Sequence, residues 1–546
     1  MEFLKYWHTL RHLKPIQVTD RIGRHIWKPR LNHLHLPRTP RKCGAWVNGI
    51  EKAPSLLGPR LFSFLNETRR VENPGDWNHP YWDKLWLYNL HYFDELNARA
   101  ALERTGLHLE WIERWIRENP PAAGNGWEPY PISLRIVNWI KWVLKGQEPT
   151  GAMVGSLALQ ARWLRRRLEY HLLGNHLFAN LKALVFAGCF FQGTEAEEWL
   201  AKGLDGIRDE LREQVLPDGG HFERSPMYHA IIFEDVLDLI NVTDTCRDAV
   251  PGRFSAILDD LRDTAQKMLQ WLQHLTHPDG EIALLNDAAL KIAPNPGELL
   301  DYARRLSIPL PSGPALPLVH LPQTGYIRIE KPPFTAFLDV APIGPDHLPG
   351  HAHADTLTFE LSFHGQRFIV DSGISCYGVS AERLRQRSTT AHNTVEIDGE
   401  NSSEVWGGFR VARRAYPQNL EIVENPGAEI LVRCSHDGYT RLPGKPVHRR
   451  EWKFSDRGFC VTDFIAGRFT RAVSRFHFHP QIHVECEGEN KGHCALPDGK
   501  KIRWSVEGGK AEVTASTYHP EFGVGLPNRC LEIHFHENKT CFSADM

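Results

Sequence analysis

The spacing of apolar residues changes once along this chain, at the Pro-rich segment 311–322. Before it, over residues 80–308, apolar side chains recur at helical intervals, as in the stripe of Ile257, Leu261 and Ala265. After it, runs such as FTAFLDV, LTFELSFH and HNTVEIDG alternate with a period of two. The pattern predicts an α+β chain in which an all-α half precedes antiparallel sheets stacked as a β-sandwich.

These changes divide the chain into three predicted parts. Residues 1–80 form an N-terminal extension, in which residues 1–50 are basic and residues 60–80 are turn-rich. Residues 81–315 form the helical domain, and residues 316–546 form the β domain. The length of 546 residues fits this division, because one domain typically holds about 100–200 residues.

Charge and composition exclude several classes of protein. A net charge of -2 gives no general attraction to nucleic acid, and the absence of any apolar run of about 18 residues predicts no membrane span. The N-terminus lacks the apolar core of a secretory signal, which predicts a cytoplasmic protein. The ten cysteines are scattered without a C-x-x-C pair, which favours free thiols. The sequence does not indicate an oligomeric state.

Two histidines one residue apart, His351 and His353, open the segment HAHADTLTFELSFHGQRFIVD, which predicts a β-hairpin. In an extended strand they face the same side, and a hairpin can return Asp371 beside them. His392 follows in another strand-like run. Two imidazoles and a carboxylate on strands suit a divalent metal such as zinc. With 29 histidines in the chain, however, this spacing alone leaves the metal site open.

Three further clusters carry more polar groups than loops and helix ends usually need. Asn175 and His176 begin the apolar helix GNHLFANLKALVFAG, where Asn175 could also be a helix cap. Tyr228 follows the loop DGGHFERSP and could instead be a core tyrosine, while Arg224 could simply pair with Glu223. The last cluster lies on the loop and helix over residues 124–139 and comprises Trp127, Tyr130, Arg135 and Asn138.

The order of the motifs GNHLFANLKALVFAG, DGGHFERSPMYHAIIFEDVLDL, GHAHADTLTFEL, FIVDSG and STTAHNTVEIDG resembles the heparinase II/III family of polysaccharide lyases, to which alginate and oligoalginate lyases are related. The resemblance covers most of residues 80–420. It implies an incomplete (α/α) toroid followed by an antiparallel β-sandwich, with the active cleft between them. It also implies cleavage of an acidic, uronic-acid-containing polysaccharide by β-elimination.

The resemblance further implies roles for individual residues. Asn175, with His176 beside it, would neutralise the uronate carboxylate. Tyr228 and His351 would be the acid and base, with Tyr228 preferred as the acid, although their assignment depends on syn or anti elimination. The implied ligands of one structural zinc ion in the β domain are His353, Asp371 and His392.

Other residues are implied only as helpers of these groups. Asp355 and Asn393 would orient the imidazoles that hold the metal. Candidates for binding the acidic sugar chain, where an arginine fork suits carboxylate or sulfate, are Trp127, Tyr130, Arg135, Asn138, Arg224, Tyr377 and Arg387.

Two alternatives remain open at the level of the sequence. One is a metal-dependent hydrolase or oxygenase that uses His353, Asp371 and His392 for catalysis. The other is a non-catalytic glycan-binding or assembly protein, because the N-terminus KYWHTLRHLKPIQ resembles family members that accompany bacterial exopolysaccharide synthesis. The presence of Asn175, Tyr228 and His351 favours the lyase. The near-zero net charge favours a less sulfated or unsulfated polymer.

Overall fold

The computed structural model describes residues 2–27, 29–34, 36–37, 39–310, 316–425 and 429–546. The predicted domain boundary between residues 315 and 316 therefore adjoins a segment outside the described residues. Beyond that segment, part of the predicted linker is strand rather than loop, because Leu318–Leu321 pairs with Tyr326–Lys331.

Helices dominate the chain up to residue 305, as the apolar spacing predicts. No helix among the described residues is long and apolar enough to cross a membrane. The helices are α1 (Glu2–Leu10), α2 (Pro15–Ile26), α3 (Lys84–Tyr92), α4 (Thr105–Glu118), α5 (Pro129–Leu144), α6 (Gly151–Arg165), α7 (Gly174–Phe190), α8 (Thr194–Gln214), α9 (Pro226–Thr245), α10 (Ser255–His274), α11 (Pro296–Arg305) and the short α12 (Ala381–Gln386).

Strands dominate the remainder of the chain, which confirms the α+β class. They are β1 (Leu56–Gly58), β2 (Leu61–Phe64), β3 (Glu67–Arg70), β4 (Leu318–Leu321), β5 (Tyr326–Lys331), β6 (Phe334–Asp339), β7 (Phe359–Phe363), β8 (Gln366–Ile369), β9 (Val395–Ile397), β10 (Val405–Trp406), β11 (Arg410–Val411), β12 (Pro417–Asn425), β13 (Glu429–His436), β14 (Val447–Ser455), β15 (Gly458–Ala466), β16 (Ala472–His477), β17 (His483–Gly488), β18 (Lys491–Ala495), β19 (Lys501–Glu507), β20 (Gly509–Tyr518), β21 (Leu526–Phe535) and β22 (Lys539–Asp545).

The strands are paired antiparallel throughout their sheets. Three larger sheets have the orders β4-β5-β6-β7-β8, β20-β21-β16-β9 and β12-β13-β14-β15-β22-β19-β18-β17. Two small sheets, β1-β2-β3 and β10-β11, complete the set. Strands β2 and β3 of the first small sheet lie in the stretch that the sequence predicts to be turn-rich.

The hairpin of β7 and β8 is confirmed, but it begins later than predicted and has no solvent face. Strand β7 starts at Phe359, so His351 and His353 lie in the loop before it rather than on one strand face. Every residue of β7 is buried. One face packs in the apolar core between the sheets, and the other contacts the helical half through His277, which hydrogen-bonds Glu360 at 2.8 Å.

The N-terminal helices α1 and α2 lie across both halves of the protein. In α2, Arg24 donates to the Arg167 carbonyl oxygen at 2.9 Å in the helical half. Gln17 donates to the His347 carbonyl oxygen at 3.2 Å in the β half. Helix α1 is held by Thr9, whose hydroxyl donates to the carbonyl of a β11 residue at 3.3 Å. Helices α1 and α2 therefore join the two halves.

The expectation that all ten cysteines are free thiols is not met. Cys43 and Cys246 form a disulfide, with their Cα atoms 4.7 Å apart. The bond joins the segment before β1 to the end of α9 across 203 residues of sequence. Such bonds persist in oxidising compartments, so this feature counts against the predicted cytoplasmic location.

Candidate active site

A cavity of about 870 Å³ lies between the helical half and the β half. Helices α3, α5, α7 and α9 form one wall, and loops of the β half form the other. The predicted site residues that line it are Tyr130, Asn138, Asn175, His176, Tyr228, His351 and Tyr377. The structure thus brings together residues that are up to 247 positions apart in sequence, from both halves of the chain.

The start of α7 places Asn175 in the cavity wall. Leu173 and Gly174 both have positive φ, 62° and 54°, and a Cβ on Gly174 would lie 2.7 Å from Glu223 Oε1. A side chain at position 174 would therefore be both strained and crowded. Asn175 is not the helix cap, a position that Leu173 occupies. Its side-chain amide makes no hydrogen bond with the described residues, which leaves it available to a ligand.

His176 is held by a carboxylate rather than being free in the cavity. Its Nδ1 lies 3.2 Å from Glu169 Oε2, and its ring packs on Tyr130 with centroids 4.4 Å apart. Burial alone would lower the pKa of His176, but Glu169 outweighs burial and raises this pKa above its ordinary value. His176 therefore takes up a proton more readily than a free imidazole would, and Glu169 holds its ring in place.

Tyr228 sits at the first turn of α9, where Ser225 caps the helix by accepting from the Tyr228 backbone N–H at 3.2 Å. Its hydroxyl lies 3.0 Å from the hydroxyl of Tyr377, and its ring stacks on His351 with centroids 3.8 Å apart. Burial raises the pKa of Tyr228 well above its ordinary value, and Tyr377 raises it further. The phenol therefore stays protonated at neutral pH and can donate a proton.

His351 is oriented by Asp287, a residue that the sequence motifs did not single out. Asp287 Oδ2 lies 2.9 Å from His351 Nδ1. Because the ionised carboxylate only accepts, Nδ1 carries the hydrogen and Nε2 keeps a lone pair. Nε2 lies 3.4 Å from Glu223 Oε2, a buried atom without a hydrogen-bond partner among the described residues. Burial raises the pKa of Glu223.

Asp287 also contacts a second imidazole and an arginine. Its Oδ1 lies 2.7 Å from His353 Nε2, and Arg383 donates to both carboxylate oxygens, at 2.6 Å for one of them. Burial alone would raise the pKa of Asp287, but Arg383 and the two imidazoles hold this pKa well below its ordinary range. The only sequence signal for Asp287 is a carboxylate after the apolar run IALL, which is too common to identify a site.

Three atoms without hydrogen-bond partners among the described residues converge near this point. They are His353 Nδ1, Asp355 Oδ2 and His392 Nε2, and these three residues can place ligand atoms within 4.8 Å of one another. Burial lowers the pKa of His353 to about 3, so its imidazole is neutral, as a metal ligand must be. Asp371 instead lies 2.7 Å from the other nitrogen of His392, Nδ1.

The predicted substrate-binding residue Arg135 does not line the cavity. It is fully buried, and its guanidinium donates to Gln160 at 2.9 Å and to the Gly126 carbonyl at 2.7 Å. It also stacks over the ring of Trp115, 3.8 Å from the centroid. These contacts occupy the guanidinium N–H groups that would have to donate to a sugar carboxylate.

Arg387, Arg224 and Trp127 also lie outside the cavity lining. Arg387 donates to the Ala352 carbonyl at 2.9 Å, and Arg224 Nε donates to the Thr324 carbonyl at 3.0 Å. The indole of Trp127 is turned inward and donates to a backbone carbonyl at 3.2 Å. The sequence alone did not distinguish these side chains, which hydrogen-bond to backbone carbonyls, from the side chains that face the cavity.

The lysines that line the cavity are all paired with carboxylates. Among the described residues, no arginine lines it, and each lining lysine contacts a carboxylate. The pairs are Lys52–Glu234, Lys84–Glu128, Lys141–Asp238, Lys182 with Asp235 and Asp238, and Lys291–Glu521. A densely charged polyanion would have to break these pairs in order to bind.

Comparison with known families agrees with this arrangement. The family model described as heparinase II/III N-terminus matches residues 99–295, and the model described as heparinase II/III-like, C-terminal, matches residues 313–544. The chain belongs to the heparinase II/III family. The two matches follow the division between helices and strands, and the cavity of this family member lies between them.

The curated proteins that match this chain include heparin-sulfate lyases and one protein with a different name. Heparin-sulfate lyase of Bacteroides stercoris is 27% identical over 334 residues, which is 57% of this chain and 46% of that protein. FtsZ-localized protein C of Caulobacter vibrioides is 25% identical over 437 residues, 74% of this chain and 71% of that protein. The chain spans about half the length of the curated heparin-sulfate lyases that it matches.

Solved structures show the same fold. A crystal structure of heparinase III has a TM-score of 0.71 and 19% identity, covering 87% of this chain and 80% of that one. Heparan sulfate lyase HepC from Pedobacter heparinus has a TM-score of 0.59 and 17% identity, covering 97% and 87%. At 17–19% identity, this similarity shows a shared fold and nothing beyond it.

Proposed function

We propose that this chain is a polysaccharide lyase that cleaves a uronic-acid-containing glycan by β-elimination. One observation carries the proposal: Tyr228 and His351 are stacked in the cavity that Asn175 lines, with a protonated phenol beside an imidazole whose Nε2 carries the lone pair. A hydrolase or an oxygenase has no comparable need for this pair. Family membership supports the same reaction class.

Elimination at a uronic acid removes the C5 hydrogen and expels the oxygen on C4. Negative charge builds on the carboxylate as the hydrogen leaves, so a donor at that carboxylate lowers the barrier. Asn175 has an uncommitted amide for this purpose, and the cationic form of His176 adds positive charge next to it. Both residues stand on the first turn of α7.

The hydrogen bonds of His351 and the raised pKa of Tyr228 indicate which residue is the base and which is the acid. Asp287 fixes the proton of His351 on Nδ1, so Nε2 takes the C5 proton. Tyr228 gives its phenolic proton to the leaving oxygen, in accord with its raised pKa. In a syn elimination served by Tyr228 alone, an ionised Tyr228 would take the C5 proton and return it to the leaving oxygen, and the raised pKa of the phenol disfavours that starting form. The prediction of Tyr228 as the acid therefore stands in this proposal.

We further propose that one zinc ion is held by His353, Asp355 and His392. The support is the convergence of their unpartnered atoms, with a carboxylate already on the opposite nitrogen of each imidazole: Asp287 for His353 and Asp371 for His392. Asp371, which the sequence predicts as a ligand, would then orient His392. When bound, the ion would supply a structural link between loops of the β half rather than activate water.

This metal site gives a direct test. His353→Ala should abolish stoichiometric zinc and lower the melting temperature, because the ion stabilises the folded loops that bind it. Asp355→Ala should do the same, whereas Asp371→Asn should keep the ion with an affinity reduced by roughly 10–100-fold. Metal content by elemental analysis and melting by calorimetry are the measurements.

His436→Ala is the control for removing a buried imidazole, because His436 lies in β13 and contacts another histidine. It should lower stability without changing the zinc content. Full zinc content in His353→Ala would reject the site. Loss of zinc in Asp371→Asn but not in Asp355→Ala would restore the ligand set that the sequence predicts.

We propose an unsulfated or sparsely sulfated polymer as the substrate. The paired lysines and the lack of a lining arginine among the described residues support this choice. The β half offers apolar ring faces for sugars instead, since Tyr377 packs against Phe409 and Phe522 at 5.3 and 4.9 Å between centroids. The curated heparin-sulfate lyases act, by their names, on heparin sulfate, so this substrate would be a difference from them.

The first experiment is near-ultraviolet absorbance during incubation with hyaluronan, alginate, uronate-bearing bacterial exopolysaccharides, heparan sulfate and heparin. A rise reports the C4–C5 double bond that only elimination creates. We expect the fastest rise with an unsulfated polymer. New reducing ends without absorbance would show hydrolysis and overturn the lyase. A preference for heparin would overturn the substrate class alone.

The finer description of the fold and the location are also proposals. We propose that α3–α11 form the incomplete (α/α) toroid and that the larger sheets form the β-sandwich, in line with the fold of the solved relatives. The cytoplasmic location predicted from the N-terminus stays a prediction. Fractionation of cells that express the chain, with the Cys43–Cys246 bond assayed in each fraction, would test it.

A further inference from the structure

Helices α1 and α2 each turn an apolar face to solvent. In α1, Phe3, Trp7 and Leu10 recur at intervals of four and three residues, and Phe3 and Trp7 are 81% and 58% exposed. This face points away from Thr9, which attaches the helix to β11. The spacing of these residues places them on one side of the helix.

Helix α2 repeats the arrangement. Val18, Ile22 and Ile26 are spaced by four residues and are all exposed, Ile26 by 80%. The attachments to the rest of the protein are made from the opposite side, by Gln17 and Arg24. A folded protein rarely leaves two successive helices with large apolar side chains outward unless that surface binds something.

The surface is also basic. Residues 1–30 hold seven of the 64 Lys and Arg side chains but only two of the 66 Asp and Glu side chains, in a chain of net charge -2. Lys5, Arg11 and Arg21 are exposed and have no carboxylate within ion-pair distance in the described part of the chain. Positive charge is therefore concentrated around the two apolar faces.

We propose that the outer faces of α1 and α2 dock on a membrane surface that contains anionic lipids. Interfacial helices combine Trp, Phe and Leu on one face with Lys and Arg beside it, and they lie in the membrane plane rather than crossing it. Anionic headgroups complement the unpaired cations. A symmetric contact between two copies of this chain would instead oppose like charges across the interface.

The inner side of α2, opposite the docked face, contacts segments that adjoin the cavity. The carbonyl that Gln17 contacts belongs to His347, and the next residue, Leu348, lines the cavity. Arg24 contacts the segment just before Leu172, which lines it as well. Docking would hold the cavity beside the lipid surface, where a nascent or membrane-associated glycan could reach it. The docking itself does not depend on the proposed lyase activity.

Vesicle co-sedimentation of the full chain tests the proposal. We expect binding to vesicles of phosphatidylcholine mixed with phosphatidylglycerol, at least about tenfold weaker binding to phosphatidylcholine alone, and weakening with added salt. The double variant Trp7→Glu/Ile22→Glu should bind the mixed vesicles at least about tenfold less well. The matched control is Tyr81→Glu/Leu102→Glu, which changes two apolar residues elsewhere on the helical half that are at least as exposed, and it should bind normally.

Thermal melting of each variant confirms that it is folded. Absence of binding to the mixed vesicles would overturn the proposal, as would an equal loss in the Tyr81/Leu102 control. Equal binding to neutral vesicles would overturn the role of anionic lipid. If light scattering shows a dimer that Trp7→Glu/Ile22→Glu dissolves, and no lipid binding is seen, the surface contacts a second copy and the proposal fails.

Discussion

Replacing Tyr228 with Phe should reduce turnover by roughly 10²–10⁴-fold while leaving the melting temperature almost unchanged. The substitution removes only the hydroxyl that would protonate the leaving oxygen, and it keeps the ring that stacks on His351 at 3.8 Å. Substrate affinity should change little, because the hydroxyl acts in the transition state. Initial rates of absorbance at saturating polymer and separate binding measurements give the two quantities.

Tyr377→Phe is the matched control, because it removes the other hydroxyl of the same 3.0 Å hydrogen bond. It should cost less than about tenfold, the value of one neutral hydrogen bond. Near-normal turnover in Tyr228→Phe would exclude that residue as the acid. An equally severe loss in Tyr377→Phe would mean that the pair acts as one unit.

Asp287→Asn should damage three properties at once. Arg383 would be left as a buried charge without a partner, which typically costs about 3–5 kcal/mol of stability. His351 would lose the acceptor that fixes its tautomer, and His353 would lose the carboxylate on Nε2. We expect kcat to fall by at least roughly 10–100-fold with little change in KM, together with weaker zinc binding. Assays well below the melting temperature separate catalysis from unfolding.

Asp463→Asn separates these effects from the loss of any buried ion pair. Asp463 also joins an arginine and a histidine, contacting Arg450 at 2.7 Å and His448 at 2.8 Å within the β half. It should lose comparable stability and keep kcat and zinc content. If both variants lose kcat equally, Asp287 has no special part in positioning His351. Normal kcat in Asp287→Asn would exclude that part directly.

Much of the fold follows from local patterns in the sequence. The helices between residues 84 and 305 have regular apolar stripes, and strands such as β6, β7 and β15 have alternating or apolar runs. The strands that the patterns missed include β12 and β17, at the two edges of the largest sheet. Strand β17 is mostly exposed, and its alternation is limited to Val484 and Cys486 between polar residues, which is too short to identify a strand.

The site residues that belong to sequence motifs were predictable. The residues whose role depends on contacts between distant parts of the chain were not. Asn175, Tyr228 and His351 meet in one cavity, as the motifs indicate. Asp287 has no motif, because it acts by accepting from three side chains that lie far away in sequence. Arg135 is a residue type that often binds acidic sugars, but its guanidinium donates its hydrogen bonds to Gln160 and to backbone carbonyls. Only three-dimensional contacts distinguish these cases.

The bridging position of α2 has a thermodynamic consequence. Lys14 at its start pairs with Glu213 of the helical half, while Gln17 binds the β half one residue from the cavity wall. A glycan that changes the spacing of the two halves must therefore alter the packing of α2. A ligand of α2 that binds more tightly at one distance between the two halves will change the affinity for the glycan. By thermodynamic linkage, the glycan changes the affinity for that ligand by the same factor. Lipid and polymer would then be heterotropic effectors of each other, with no contact between them.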